Sequence, residues 1–157
     1  AYLSRTRASA DACARDFGGT VHDSPESLCA DDPDAVLVLT HETQRAAAIE
    51  ALLPHRPRRL FFEKPLVAAH GQADVREADF FTARDLLNRA EADGAETAMV
   101  FNYRFFETTR RARRAVAERG MGRLLQASCV VHYACWSHCI DLLRGFGGPL
   151  RAISALG

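Results

Sequence analysis

Ala35-Val36-Leu37-Val38-Leu39 is an unbroken apolar run set between Asp34 and the polar pair Thr40-His41. A strand with water on one side alternates apolar and polar residues, whereas a short continuous run suits a strand buried on both faces. Such a strand needs helices to cover it, and helical patterns stand on either side. Residues 7–17 bring Ala10, Cys13, Ala14 and Phe17 to one helical face, with Gly18-Gly19 as the stop. Ser24-Pro25-Glu26 has the N-cap, N1 proline and acidic first turn of a short helix. The spacing then predicts a helix over 43–53 ending before Pro54, a strand over 59–62, and a helix over 79–92 with Phe80, Leu86, Leu87 and Ala90 inward. A strand over 97–101 follows, and Ala1-Tyr2-Leu3 reads as part of another. Strands alternating with helices predict an α/β fold around a parallel sheet with right-handed crossovers.

Beyond Arg104 the pattern changes. An arginine-rich helix over 107–119 and a Gly120-Met121-Gly122 turn lead to a longer strand over 124–133, a helix over 137–145 and a strand over 150–156. Two domains are therefore expected, 1–103 and 104–157. Both ends fall inside strand-like segments, Ala1-Tyr2-Leu3 and Ile153-Ser154-Ala155-Leu156-Gly157, as in an internal piece of a longer protein.

Composition narrows the function. The 157 residues are 48% hydrophobic and 25% charged, the profile of a water-soluble globular chain. Zero net charge provides no global field to recruit nucleic acid or an anionic membrane, and no apolar stretch is long enough to span one. Five cysteines without framework spacing point to reduced thiols, and so to a cytoplasmic protein.

Polar residues gather where ligands bind in an open parallel sheet, just outside the carboxyl ends of the strands. Four such ends are readable: Ser4-Arg5-Thr6, Thr40-His41, Glu63-Lys64 and Asn102-Tyr103-Arg104. Lys64 is the only lysine among twenty lysine and arginine residues. An arginine stays charged at any working pH, whereas a lysine ammonium can exchange protons. Its place between a strand and Pro65 makes it the candidate reactive cation.

A strand ending in Glu63-Lys64-Pro65, an earlier strand ending in Thr40 and a later Asn102-Tyr103-Arg104-Phe105 resemble the Gfo/Idh/MocA oxidoreductases, nicotinamide-dependent enzymes related to glucose–fructose oxidoreductase and inositol dehydrogenase. The Gly120-Met121-Gly122 turn and Trp136-Ser137-His138-Cys139-Ile140-Asp141-Leu142-Leu143 extend the resemblance along the whole chain. It implies an incomplete Rossmann-type parallel sheet, without its first strand and glycine-rich phosphate turn. The start of an α/β domain on an open, mainly antiparallel sheet would follow, and a homo-oligomer once that domain is complete. NAD-preferring members carry an acidic residue at the end of the second strand. Ser4 and Arg5 there suit a 2′-phosphate instead, so the resemblance favours NADP over NAD, with Thr6 beside them.

By the same resemblance Thr40 and His41 would lie beside the nicotinamide ribose, although the family usually has proline at position 41. Glu63 would orient Lys64 or touch the cofactor. Lys64 would lie between nicotinamide and substrate, its ammonium on the reacting oxygen. His138 would act as acid or base on a sugar-like small molecule, with Asn102, Arg104 and Trp136 nearby in the substrate site. The family's aspartate four residues before this histidine is Ala134 here, and Trp136 replaces a glycine. Asp141 would be a structural or orienting group. The alternative is a non-catalytic relative that binds a dinucleotide or a partner protein.

Two other constellations carry less. Cys129, His132, Cys135, His138 and Cys139 are dense, but structural zinc sites pair two close ligands with two more beyond a longer loop. In the expected strand Cys129 and His132 point to opposite faces, so buried thiols and no metal are expected. Arg110-Arg111-Ala112-Arg113-Arg114 reads as a solvated helix face, with no nucleic-acid motif beside it.

Overall fold

The computed structural model describes residues 1–151. They divide into two compact units, Ala1–Val100 and the chain from Phe101 onward.

In the first unit α1 (Arg7–Phe17) and α2 (Pro25–Ala30) precede β1 (Val36–Val38), α3 (Glu42–Leu52), β2 (Arg59–Phe62), α4 (Glu77–Ala92) and β3 (Glu96–Met99). A single 3-10 turn, Leu53–His55, extends α3 through Pro54. Local chemistry sets the boundaries. Ser24 accepts from the Ser27 backbone N–H and the Ser27 side chain answers, a capping box with Pro25 at N1. Thr6 caps α1, its hydroxyl 3.4 Å from the Ser9 nitrogen.

The three strands pair in the order β1-β2-β3, all parallel, as alternating helices require. Val38 is level with Phe62, and Phe62 with Met99. The ladder runs one step further, from the Glu63 N–H to the Val38 carbonyl and from the Val100 N–H to the Phe62 carbonyl. All three carboxyl ends therefore stop at one edge. Val36, Val38, Leu60 and Phe62 pack with Leu28, Ile49, Leu52, Leu86 and Ala90 from α2, α3 and α4 to form the core. Leu60 and Phe62 are essentially solvent-free.

The other sheet face is open within this unit, and this corrects an expectation. Leu37 and Leu39 are 57% and 59% exposed, so β1 is buried on one face only. Alternate strand residues point to opposite faces, and α2–α4 lie together on the Val36–Val38 side. Phe17, at the last position of α1, is also exposed. So is Phe80: the buried stripe of α4 runs through Asp79, Leu86 and Ala90, and Phe80 sits one helical position to its side. There it meets Phe81 edge-to-face while the Arg84 guanidinium lies over both rings. Tyr2 forms only an isolated parallel bridge to Val21, and no described hydrogen bond joins that pair to β1–β3.

The second unit contains a 3-10 turn (Asn102–Phe105), α5 (Glu107–Glu118), a second such turn (Tyr133–Cys135) and α6 (Trp136–Gly147). The expected strand over 124–133 is absent, and with it any described sign of an antiparallel sheet. A strand exists through its ladder, and no described segment of this unit offers one; Leu125 and Val130 are largely exposed. The strand expected over 150–156 lies almost wholly outside the described residues. Gly120 and Gly122 have φ of 58° and 77°, so the turn after α5 needs residues without a Cβ. No residue of α5 is buried, which leaves its arginines in water.

Candidate functional site

The level register of β1 and β2 brings Thr40-His41 and Glu63-Lys64 to one sheet edge. The residue joining them is Arg45 on α3, which the sequence reading passed over. Arg45 shares the buried stripe of α3 with Ile49 and Leu52 and is only 2% exposed. Its Nη1 donates to the Glu63 carbonyl at 2.7 Å and to the Pro65 carbonyl, while Nη2 donates to the Thr40 carbonyl. One planar guanidinium thus spans the loop after β1 and the loop after β2. Burial lowers the Arg45 pKa from its ordinary value, opposed by the nearby Glu63 and Glu42 carboxylates. The signal that would have found it was in the sequence: a charged residue four and seven positions before two core residues of one helix.

The neighbours of this brace have their own duties. His41 is the N-cap of α3, with Nδ1 3.0 Å from the Thr43 hydroxyl and 3.5 Å from a Glu42 carboxylate oxygen. Glu42 accepts from the Gln72 N–H at 3.2 Å. Its carboxyl is held below the usual range, chiefly by its own backbone N–H and further by that of Gln72. Glu63 and Lys64 are half-buried, and the Lys64–Pro65 peptide is cis. Asp79 holds the far side of the Pro65 loop by accepting from the Ala69 N–H at 3.0 Å and the Arg76 N–H at 2.8 Å. These two bonds, in that order, keep its carboxyl below the ordinary range.

Ser4 and Arg5 are exposed at the start of α1, and Thr6 is already used as its cap. No described hydrogen bond ties the three to the β1–β2 edge.

The second unit has a polar centre, with His138, Cys139 and Asp141 of α6 buried. Arg104 meets Asp141 as a fork, Nε to Oδ2 at 2.8 Å and Nη2 to Oδ1, and this pairing raises the Arg104 pKa. The His138 ring stacks on Tyr103 at 4.3 Å and meets Phe101 edge-on at 5.7 Å. Its Nδ1 is buried with no hydrogen-bond partner among the described residues. The Tyr103 hydroxyl lies 3.4 Å from the Cys135 thiol, which raises the phenol's pKa. Trp136 is 59% exposed, and Asn102 is exposed at the head of its 3-10 turn. Arg104 and His138 therefore share one cluster, held by Asp141 and Tyr103, while Asn102 and Trp136 stand on its surface. Among the described residues no three His, Cys, Asp or Glu side chains are arranged to hold a metal, and no helix is long and apolar enough to cross a membrane.

A parallel sheet with helical crossovers and its polar loops level at the carboxyl edge defines a Rossmann-type nucleotide-binding unit. Residues 1–101 match the Gfo/Idh/MocA oxidoreductase family, described by its NAD-binding Rossmann fold, and the chain belongs to that family. Solved structures agree in fold. A candidate myo-inositol dehydrogenase from Sinorhizobium meliloti 1021 is 21% identical with a TM-score of 0.69, over 93% of this chain and 46% of that one. The dehydrogenase MviM from Clostridium difficile is 17% identical with a TM-score of 0.56, over 71% and 33%. KijD10, a 3-ketoreductase from Actinomadura kijaniata in complex with NADP and TDP-benzene, is 24% identical with a TM-score of 0.55, over 77% and 34%. The chain thus spans less than half the length of each. No curated protein matches it.

Proposed function

We propose that the protein carrying this chain is an NAD(P)-dependent oxidoreductase that moves hydride between the nicotinamide and a carbinol or carbonyl carbon of a sugar-like small molecule. The observation that carries this reading is the set of strand ends at one sheet edge, Thr40-His41 level with Glu63-Lys64 and braced by Arg45. The donor set fits a dinucleotide. Thr40 supplies a hydroxyl, and Ser4 with Arg5 supplies a hydroxyl and an exposed guanidinium suited to a 2′-phosphate, so NADP is the preferred form. The nicotinamide, when bound, gives or takes the hydride.

The chain's residues do the rest. The Lys64 ammonium donates to the reacting oxygen and stabilises its alkoxide character. Glu63 orients that ammonium or touches the cofactor, and His41 borders the ribose site. His138 is the proton donor or acceptor for the substrate hydroxyl. Among the described residues its buried Nδ1 has no hydrogen-bond partner, and Asp141 is paired with Arg104. Proton handling therefore falls more heavily on Lys64. The same orphan nitrogen favours the second reading, a non-catalytic relative that binds the dinucleotide or a partner.

Replacing Lys64 by arginine and by methionine separates the two. The expected result is unchanged NADPH affinity with a loss of turnover of about a hundredfold or more, the scale of one removed transition-state donor. Arginine keeps the charge but cannot hand over a proton, so it should not rescue. Turnover at the wild-type rate in both variants would end the catalytic reading of Lys64.

A further inference from the structure

Arg45 is an odd residue to bury for stability alone. A cation removed from water costs several kcal/mol unless it is well paired, on the order of what a whole small domain can spare. Among the described residues no carboxylate lies within ion-pair distance of its guanidinium, and its Nε has no partner. Its hydrogen bonds go instead to three backbone carbonyls, two in one loop and one in another. A buried leucine on the same stripe as Ile49 and Leu52 would fill the space without that cost. What it would not do is fix the position of one loop against the other.

The three carbonyls are specific. Glu63 O belongs to the peptide that leads into Lys64, and Pro65 O to the peptide that leads away from Pro65. Thr40 O belongs to the peptide joining Thr40 to His41. The five donors of a guanidinium lie in one plane at fixed angles, which a lysine ammonium on a flexible stem cannot imitate. The backbone on both sides of Lys64 is thereby referenced to the end of β1. We propose that Arg45 is a positioning residue for Lys64: its guanidinium sets the loop carrying the ammonium against the Thr40–His41 loop. The inference rests on the proposed role of Lys64 at the reacting oxygen, but it concerns geometry that exists before any ligand binds.

Lys64 being the only lysine, labelling the chain with 13C,15N-lysine yields one set of side-chain signals, a direct report on its surroundings that needs no cofactor. In Arg45→Gln the lysine signals should move toward those of an unfolded lysine or broaden, while the remaining methyl spectrum stays folded. Turnover of the protein carrying this chain should fall about a hundredfold, the usual consequence of an ångström-scale misplacement, and more steeply than cofactor affinity. In Arg45→Ala, added guanidinium should restore both the lysine signals and turnover, which a merely space-filling role does not predict. A folded Arg45→Gln whose lysine signals coincide with the wild type overturns the proposal. If Arg45→Gln does not fold, Arg45→Met keeps the apolar stem without the fork, adds no second lysine and is read in the same way, shifted signals supporting and unchanged signals refuting. Wild-type turnover in Lys64→Met would end the catalytic reading of Lys64, and the lysine spectrum of the Arg45 variants would still decide the brace.

Discussion

Asp141→Asn tests the polar centre of the second unit. The side chain of Asp141 is 7% exposed and that of Arg104 is 39% exposed. The fork between them is bidentate. Two unit charges about 4 Å apart attract by about 4 kcal/mol at the effective dielectric that suits such sites, before any cost is subtracted. Desolvating the carboxylate and ordering the long guanidinium stem offset much of this, and the half-open side of Arg104 screens more. A coupling of about 1–2 kcal/mol remains, above exposed pairs and below buried ones. Asparagine keeps the shape but turns an N–H donor toward a guanidinium that only donates, so Asp141→Asn alone should cost about the same amount or slightly more. The assay is urea unfolding of wild type, Asp141→Asn, Arg104→Met and the double variant, monitored by Trp136 fluorescence, with the coupling read from the double-mutant cycle. Raising NaCl to about 1 M should reduce the coupling without abolishing it, because the carboxylate is buried. A coupling below about 0.3 kcal/mol would refute the reasoning, since it lies within the error of additivity. In that case Arg104 and Asp141 are merely adjacent.

Asp79 makes the acid side of stability predictable. Its carboxyl is held below the ordinary value by the Ala69 and Arg76 N–H groups. The folded state therefore binds the proton less readily than the unfolded chain, and Asp79 stabilises the fold fully above the unfolded value. That contribution is lost as pH falls through the lower folded value. Thermal melts from pH 6 downward (about pH 6 to 2, the carboxylate range) should show Asp79→Asn losing less stability than wild type, and equal pH slopes would contradict the hydrogen-bonding account. Arg5→Ala addresses cofactor choice. NADPH affinity of the protein carrying this chain should fall about tenfold while NADH affinity changes little, as expected for one lost charge-assisted contact; equal losses would remove Arg5 from a 2′-phosphate site.

The first unit was largely legible because its signals are local. The α1 helix over 7–17, the Ser24-Pro25 start of α2 and the strand over 59–62 each rest on spacing, caps and breakers that act within a few residues. Burial was less legible because it depends on what covers a face. The apolar run 35–39 promised two covered faces, yet only Val36 and Val38 found helices to meet. The strand over 124–133 failed for a related reason: β-propensity describes a residue's fit to a ladder, and the ladder must come from elsewhere in the chain. At the site, Glu63-Lys64-Pro65 announced itself through an unusual residue in a recognisable setting. Arg45 did not, because eighteen other arginines made it look like surface charge. Only the core stripe it shares with Ile49 and Leu52 marks it out.

Loops after parallel strands are ordinarily the part of an α/β fold most free to change length, which is how one scaffold comes to serve many substrates. Here two of those loops are not independent. The Thr40 carbonyl and the Glu63 and Pro65 carbonyls must all fall within the span of a single guanidinium. An insertion or deletion in either loop alone would pull at least one carbonyl out of reach and strand a buried donor. Length variation in relatives that keep this arginine should therefore collect beyond the brace, in the exposed stretch between Ala69 and Arg76. Beyond its own turns, that stretch is held by backbone N–H groups that donate to the Glu42 and Asp79 side chains. A fork of hydrogen bonds, on this view, decides where the protein is free to diversify as well as where its lysine stands.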